Sequence, residues 1–443
     1  FGYNGSENFA KGHRYGFFPA FSLGYIISKE KFFESTKNWL DQLKFRASLG
    51  WVGSDKLPSG RFAYLSYYDS GSSYSFGEQN FGTSVGGWSE SQIGNENLTW
   101  EKARKLNLGV DMSVLRHKIE LSVDYFQEYR YHIITSLSGD DKLGLPSMAG
   151  FTAPYTNSGI VKNHGLDIQL TFRGSIGRNF YWTVEPNLTY AKNKIVFENE
   201  ITRQYSWRQE TGREMGLNYL YVFDHFVKDQ AEADKLNTEN YQPWGTLIPG
   251  DAVYKDLNGD GKITDLGDRT AMGYPRSPEI QYGIPISFVY KNFDLSFLFQ
   301  GAEHTSIELT DAAVWDFPTF DQDKVGSVRA LHLKRWTEAT AATAQYPALS
   351  LETDENNKNE YSSLFLYNAR YLRFKNFELG YSLPNVIIRK AGLSKVRFYL
   401  QGQNIATYAP GLKGVDVDPE LGNSSGYQYP ILRVINLGVD VTF

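Results

Sequence analysis

The chain ends in RVINLGVDVTF, where Ile435, Leu437, Val439, Val441 and the terminal Phe443 alternate with Asn436, Gly438, Asp440 and Thr442. A period of two with one apolar and one polar face predicts a half-buried β-strand. A last strand of this pattern, closed by an aromatic residue, is how outer-membrane β-barrels end, with the apolar face on lipid and the polar face on the lumen. This one segment therefore constrains fold, solvent and compartment together.

Composition narrows the choice. Aromatic residues make up 15% of the chain, with 30 Tyr, 29 Phe and 9 Trp, enough to supply girdles at two membrane interfaces. Mean hydropathy is −0.43, and no apolar run approaches the ~18 residues of a membrane helix, so the chain spans as strands or not at all. The absence of Cys suits an oxidising envelope. A net charge of −5 leaves no basic stripe to meet nucleic-acid phosphates, which excludes that partner. The chain opens without Met or a signal peptide, so the expectation is a mature or internal piece of a longer protein.

If the last strand runs inward, the directions of all the others follow by alternation. Residues 395–407 run outward and 371–383 inward, with a phase slip at Lys375 and Asn376 that predicts a bulge. The connection 384–394 is then periplasmic. Residues 293–299 run outward from a tight turn at Lys291 and Asn292, and 280–290 precede it. Further upstream 181–194 ascend from a turn at 174–178, 166–172 descend, 119–125 ascend from a turn at Arg116 and His117, and 106–114 descend. The long connections, about 79–99, 133–159, 195–279, 302–368 and 408–428, all fall on one side, which barrels place outside the cell. A soluble sandwich has no reason to sort its loops in this way. Segments 15–27, 43–52, 61–68 and 72–77 read as weaker strands, and 30–42 as a short helix at the periplasmic rim. The expectation is an all-β, transmembrane antiparallel β-barrel with about thirteen strands present. An odd number with both ends running inward implies an outward strand before Phe1, since single-chain barrels hold an even number.

One constellation carries chemistry, the 256–268 stretch DLNGDGKITDLGD. Asp256, Asn258 and Asp260 occupy positions 1, 3 and 5 of an EF-hand-type loop, Gly261 supplies the sharp turn, and Lys262 offers its carbonyl at position 7. Gly267 stands at position 12, where a bidentate carboxylate belongs. Asp268 comes one residue late, and Asp265 and Thr264 are further candidates near position 9. Carboxylates this close repel one another unless neutralised, so the expectation is calcium, stiffening a loop outside the cell. The alternative is a solvated Asx-rich turn.

Other residues are less committed. Trp207, Trp244 and Trp315 could stack on sugars, but loop packing is the expected role. Arg397, Tyr399, Gln401, Gln403 and Asp440 face the lumen and could touch substrate or a plug, the plug being the expected contact. The seven His have no metal-ligand spacing, and no nucleophile motif or phosphate-cradling glycine loop is present, so no enzyme is expected.

Segments in order along nearly the whole chain resemble SusC/RagA-type TonB-dependent transporters of Bacteroidota outer membranes. They include NFAKGHRYGFFPAFSLGYIISKEKFF, WLDQLKFRASLGWVGSD, NENLTWEKARKLNLGVDM, NSGIVKNHGLDIQL, PGDAVYKDLNGDGKITDLGDRTAMGYPRSPEIQYGI, RYLRFKNFELGYSLP and VRFYLQGQNIATY. The resemblance implies a barrel of about 22 strands, too wide to fill with its own side chains and therefore plugged. This chain would be its C-terminal portion, with the plug and the first strands upstream. The resemblance further implies energy coupling through TonB–ExbB–ExbD, a SusD-like surface lipoprotein as lid, and import of oligosaccharides or peptides across a lipid membrane. The family usually closes the acidic loop one residue earlier than Asp268 does. A passive porin or adhesive barrel is the rival reading, and a soluble glycan-binding protein a distant third.

Overall fold

The computed structural model describes all residues except 59, 77–82, 138–152, 322–323, 352–355, 389–391 and 421–423. Its main body is one antiparallel sheet that forms a wall. We number the wall strands β1 (Ala20–Ile26), β2 (Leu40–Ser54), β3 (Glu101–Val114), β4 (Ile119–Ser136) and β5 (Tyr155–Ile176). Next come β6 (Phe180–Val184 and Asn187–Phe197), β7 (Ile280–Tyr290) and β8 (Phe293–Glu303). The last three are β9 (Tyr371–Ser382), β10 (Lys395–Tyr408) and β11 (Val434–Thr442). Each pairs with its neighbours in chain order from β1 to β11. The two pieces of β6 both bridge β5 and β7, so they form one crossing. Pro186 interrupts it because proline has no N–H for the ladder, yet its carbonyl still accepts from the Leu170 amide at 2.9 Å.

Register carries the alternation of one strand into a continuous surface. Leu437, Leu400, Leu379, Leu295, Phe288 and Trp182 lie side by side across six strands. Leu188, Ile168, Val123, Val110, Phe45 and Tyr25 continue the belt to β1. These side chains face out, and Leu437 and Phe443 are 84% and 88% exposed. Only hydrocarbon makes that exposure favourable. The bulge expected near Lys375 is present, since Phe374 and Asn376 pair while Lys375 is skipped. It switches the parity of β9, so Phe377 and Leu379 below it and Leu372 and Phe374 above it all stay on the apolar face.

The short turns gather at one end of the wall. Lys291 enters its turn at φ +52°, and Leu115, Arg116 and His117 are all left-handed. At the other end lie the long connections 55–100, 198–279, 304–370 and 409–433, together with the connection between β4 and β5, most of which lies outside the described residues.

Two expectations are corrected. Segments 61–68 and 72–77 are not wall strands, so the wall has eleven crossings among the described residues. Instead Tyr67–Phe76 pairs with Thr83–Gln92 in a separate hairpin. The reason is that β2 pairs with β3 from Leu40 to Ser54 and with β1 on its other edge, which leaves no edge for an intervening pair. The short helix expected over 30–42 is present as 3₁₀ turns at Ile27–Lys29 and Lys31–Thr36 but is cut short, because β2 begins at Leu40. Leu40 is already buried and paired with Val114, so the strand claims the end of the segment. The odd number survives, and among the described residues β1 and β11 each keep one unpaired wall edge.

Candidate functional site

Period-two alternation that sends apolar residues outward sends polar ones inward. Arg46 on β2 thus meets Asp111 on β3 and Asp124 on β4. Its Nε and Nη2 donate to the Asp111 carboxylate at 2.8 Å each, and Nη1 and Nη2 donate to Asp124 at 2.9 and 2.8 Å. The guanidinium lies across Gly109, where an added Cβ would come within 2.7 Å of it. A second cluster mirrors the first. Arg397 bonds Asp294, donates to Glu378 at 2.5 Å and approaches Asp440 at 3.6 Å, lying across Gly380. In each case glycine leaves space for an arginine to lie across one strand and reach a carboxylate on that strand and another on the strand beyond. Tyr399 lies flat over Gly438 in the same way, with Arg397 5.5 Å from its ring centre.

Nearer the long connections, Arg373 is fully buried. It donates to Glu420 at 2.6 Å and Asp418 at 2.5 Å, and Glu420 also accepts from Tyr371 and Gln300. The 409–433 connection is thereby pinned to the inner wall. Beside this contact a cavity of about 560 Å³ is lined by Gln281, Gln300, Tyr371, Arg276, Ser306 and Glu420.

Above the wall the long connections fold into a packed dome. In 198–279, Tyr221, Ala252, Tyr254 and Ile263 form one core, and Val227, Ala233, Leu247 and Val253 another. A helix at Gln230–Glu239 packs there, capped by the Asp229 side chain accepting from the Glu232 amide and ended by left-handed Asn240. Residues of 304–370 and 409–433 share a third core with Leu309, Val314, Tyr346, Phe365 and Leu412. The two halves are joined by buried amides. Asn357 accepts from the Ala252 amide and donates to Asp251, both at 2.8 Å, while Gln242 donates to Asn356 at 2.9 Å.

Between these halves a cleft of about 750 Å³ is lined by Arg203, Arg208, Arg269, Tyr219, Tyr361 and Glu308. The Arg269 guanidinium sits 3.8 Å over the Tyr361 ring. Burial lowers the Arg208 pKa and pushes Tyr219 up to about 12 and Glu308 up to about 7. Burial would also raise Glu200, but the amides of Thr211 and Glu210 and the Arg203 side chain hold it below the usual carboxylate range. Sequence reasoning missed this cleft, since its residues share no period and meet only when the connections fold together.

The 256–268 loop divides the expected ligand set. Asp256 accepts from the amides of Gly259 at 2.6 Å and Gly261 at 2.7 Å. Asn258 accepts from the Asp260 amide at 3.0 Å, and Asp260 from the Lys262 amide at 2.9 Å. Gly259 and Gly261 take φ +76° and +82°, which the tight turn requires. Asp256, Asn258, Asp260 and the Lys262 backbone thus share one turn, and these oxygen donors fit a hard cation. The other three candidates do not join them, and the Thr264 hydroxyl donates to Asp268 and accepts from the Gly267 amide. Asp265 turns to Arg269 at 2.5 Å and Arg208 at 3.5 Å. Asp268 is fully buried and accepts from the amides of Leu257 at 2.8 Å and Thr264 at 2.7 Å, which ties the two ends of the loop together. Among the described residues no three acidic or His side chains converge as a metal cluster.

The three tryptophans pack within the dome. Trp207 stacks on Tyr205 at 4.9 Å and donates to the Gly267 carbonyl, Trp244 packs edge-on to Tyr221 and Tyr254, and Trp315 lies against the third core.

Residues 2–405 match the family model described as TonB dependent receptor-like, beta-barrel. The chain belongs to this family. It is therefore a segment of an outer-membrane β-barrel, consistent with its lipid-facing belt. TonB-dependent receptor P3 of Formosa agariphila is 26% identical over 99% of the chain and 43% of its own length. TonB-dependent receptor SusC of Bacteroides thetaiotaomicron is 27% identical over the whole chain and 41% of its own length. The solved structure of the RagAB peptide transporter shares the fold, with a TM-score of 0.75 at 20% identity, over 98% of this chain and 44% of that one. The chain thus spans less than half the length of the relatives it matches.

Proposed function

We propose that this chain is the C-terminal part of the barrel of an active importer of the SusC type. Its substrates would be oligosaccharides or peptides, held beneath a SusD-like lipoprotein and moved inward by the energised TonB–ExbB–ExbD system acting on a plug from the rest of the protein. The observation that carries this reading is the dome. The 198–279 connection, with cores of its own, and the 304–370 and 409–433 connections, which share one, are knit by buried amides over one end of a polar lumen wall. A passive porin has no use for a roof of this size, whereas a lid needs a firm surface to close on. The RagAB peptide transporter, which shares the fold, supports the choice of peptides, and the oligosaccharides rest on the resemblance to the SusC type.

In this reading the long connections face outside, and the inner wall acts by electrostatics. Arg46 and Arg397 are saturated by carboxylates, so the wall offers neutralised rows to plug and solute in place of traps. The steps are binding and gating, with no covalent chemistry. The Asp256, Asn258, Asp260 and Lys262 turn would take calcium from the millimolar pool outside, and the Asp268 brace would hold the loop closed behind it.

Uptake by intact cells tests the reading. Cells making the full-length protein should accumulate radiolabelled maltoheptaose or a labelled peptide mixture above a deletion strain, and a protonophore should abolish the difference. Uptake that persists with the protonophore would identify a porin and overturn active import.

A further inference from the structure

On four neighbouring strands the outward-facing charge is of one sign. Leu108, Tyr125, Leu166 and Tyr190 lie side by side on β3, β4, β5 and β6, and belong to the apolar belt. One pleat nearer the dome are Leu106, Gln127, His164 and Lys192, and in the next row Arg104, Tyr129, Lys162 and Lys194. Lys102 follows, paired with Tyr131. The outward positions of these strands therefore hold Lys102, Arg104, Lys162, Lys192 and Lys194, with no Asp or Glu.

The inner face of the same strands is the opposite case, where Lys105 and Arg130 both reach Glu128, and Arg46 holds two aspartates. Of the five outward cations Lys192 meets Glu214 and Glu279. The others meet no carboxylate among the described residues. Arg104 and Lys162 instead lie over the Tyr129 ring, at 5.6 and 5.7 Å from its centre. Lys162 and Lys194 stand directly opposite each other in the ladder. Like charges so placed repel, with Cβ atoms about 5 Å apart. Such a pair is destabilising, and an anion between or above it would relieve the repulsion. The chain has an excess of acidic residues, yet supplies none here.

We propose that Arg104, Tyr129, Lys162 and Lys194 form a site on the outer surface of the barrel for a phosphate of a membrane-lipid headgroup, in the leaflet on the side of the long connections. The row lies two pleats above the apolar belt on the side of the long connections, at the depth of headgroups, where aromatic girdles and basic residues belong. The phosphate neutralises the facing lysines, Arg104 offers a planar fork to its oxygens, and Tyr129 backs both cations. Acyl chains then run down exposed Leu108, Tyr125 and Leu166. This inference rests on the membrane location of the barrel and is independent of import.

Native mass spectrometry of the full-length protein in maltoside micelles tests it, with bisphosphorylated lipid A as probe. The triple variant Arg104→Gln, Lys162→Gln, Lys194→Gln should lose affinity by on the order of a hundredfold. Lys291→Gln, in a short turn at the opposite end, should bind as the unaltered protein does. Lipid A stripped of both phosphates should bind all forms alike. Heat-modifiable gel migration reports that each variant is folded. A second readout reverses sign: in phosphate-free detergent Lys194→Gln should melt higher than the unaltered protein, because a repulsion is gone, and lipid A should invert that order. Equal lipid A affinity in the triple variant overturns the site. Displacement of lipid A by equimolar inorganic phosphate overturns the assignment to a lipid. Loss of uptake with lipid binding intact would count against import alone.

Discussion

Glu308 shows how far burial alone moves a side chain. It sits on the short strand Ser306–Glu308, paired to Leu366–Asn368, with Oε1 buried and unpartnered. Burial pushes its pKa up to about 7 from 4.5, against the weaker pull of Arg269. A carboxyl with a raised folded pKa holds its proton more tightly when folded, so its contribution is complete below the unfolded value and is lost as pH rises towards 7. Glu308→Gln should therefore leave stability near pH 4 unchanged and raise it at pH 8, by on the order of 1 kcal/mol after discounting for solvent screening. Melting followed by tryptophan fluorescence at the two pH values checks this; equal changes at both would show that Glu308 is solvated. Nothing in the neighbouring sequence IELTD marks this glutamate as buried. The inward Arg397 and Asp440, by contrast, were legible from alternation, but their carboxylate partner Asp294 was not, since register across strands decides it.

Among the elements, those with a strong period were legible. β7 spans the expected 280–290, and the bulge at Lys375 lies where the phase of β9 slips. Residues 61–68 and 72–77 read as wall because apolar and polar residues alternate there, yet Tyr67–Phe76 pairs with Thr83–Gln92 inside the 55–100 connection, since local alternation does not say which edge is free. The 256–268 loop lies between these cases. Its turn chemistry was readable from Asp, Asn and Gly, whereas the use of Asp268 as a buried brace depends on where Leu257 and Thr264 come together. Asp260→Ala should lower bound calcium in the dialysed full-length protein, measured by elemental analysis, and remove any calcium-dependent amide protection over 256–264. Asp268→Asn should destabilise the loop with or without calcium, by about 1–3 kcal/mol for a buried amide left without its charged acceptor. If Asp260→Ala changes neither calcium content nor protection, the loop is a turn only.

At the scale of the whole molecule, two constructions share one chain. The wall is held by ladders and by lipid, and the dome by cores of its own with Asn356 and Asn357 as the join. Asn357→Ala should strand the Ala252 amide and take one donor from Asp251, at a cost of about 1–3 kcal/mol. Hydrogen exchange should then quicken in 242–254 while the wall strands stay protected; equal quickening in both would mean that dome and wall unfold as one. The sequence by itself determined the solvent, the strand directions and the end at which the long connections gather. Those properties follow from a period of two and from the length of each connection, and both are local. Only the tertiary structure decided the number of wall strands, the dome, the Arg-rich cleft and the row of unpaired cations. Each of these depends on which residues stand opposite one another in register or meet across two connections, and no local period records that.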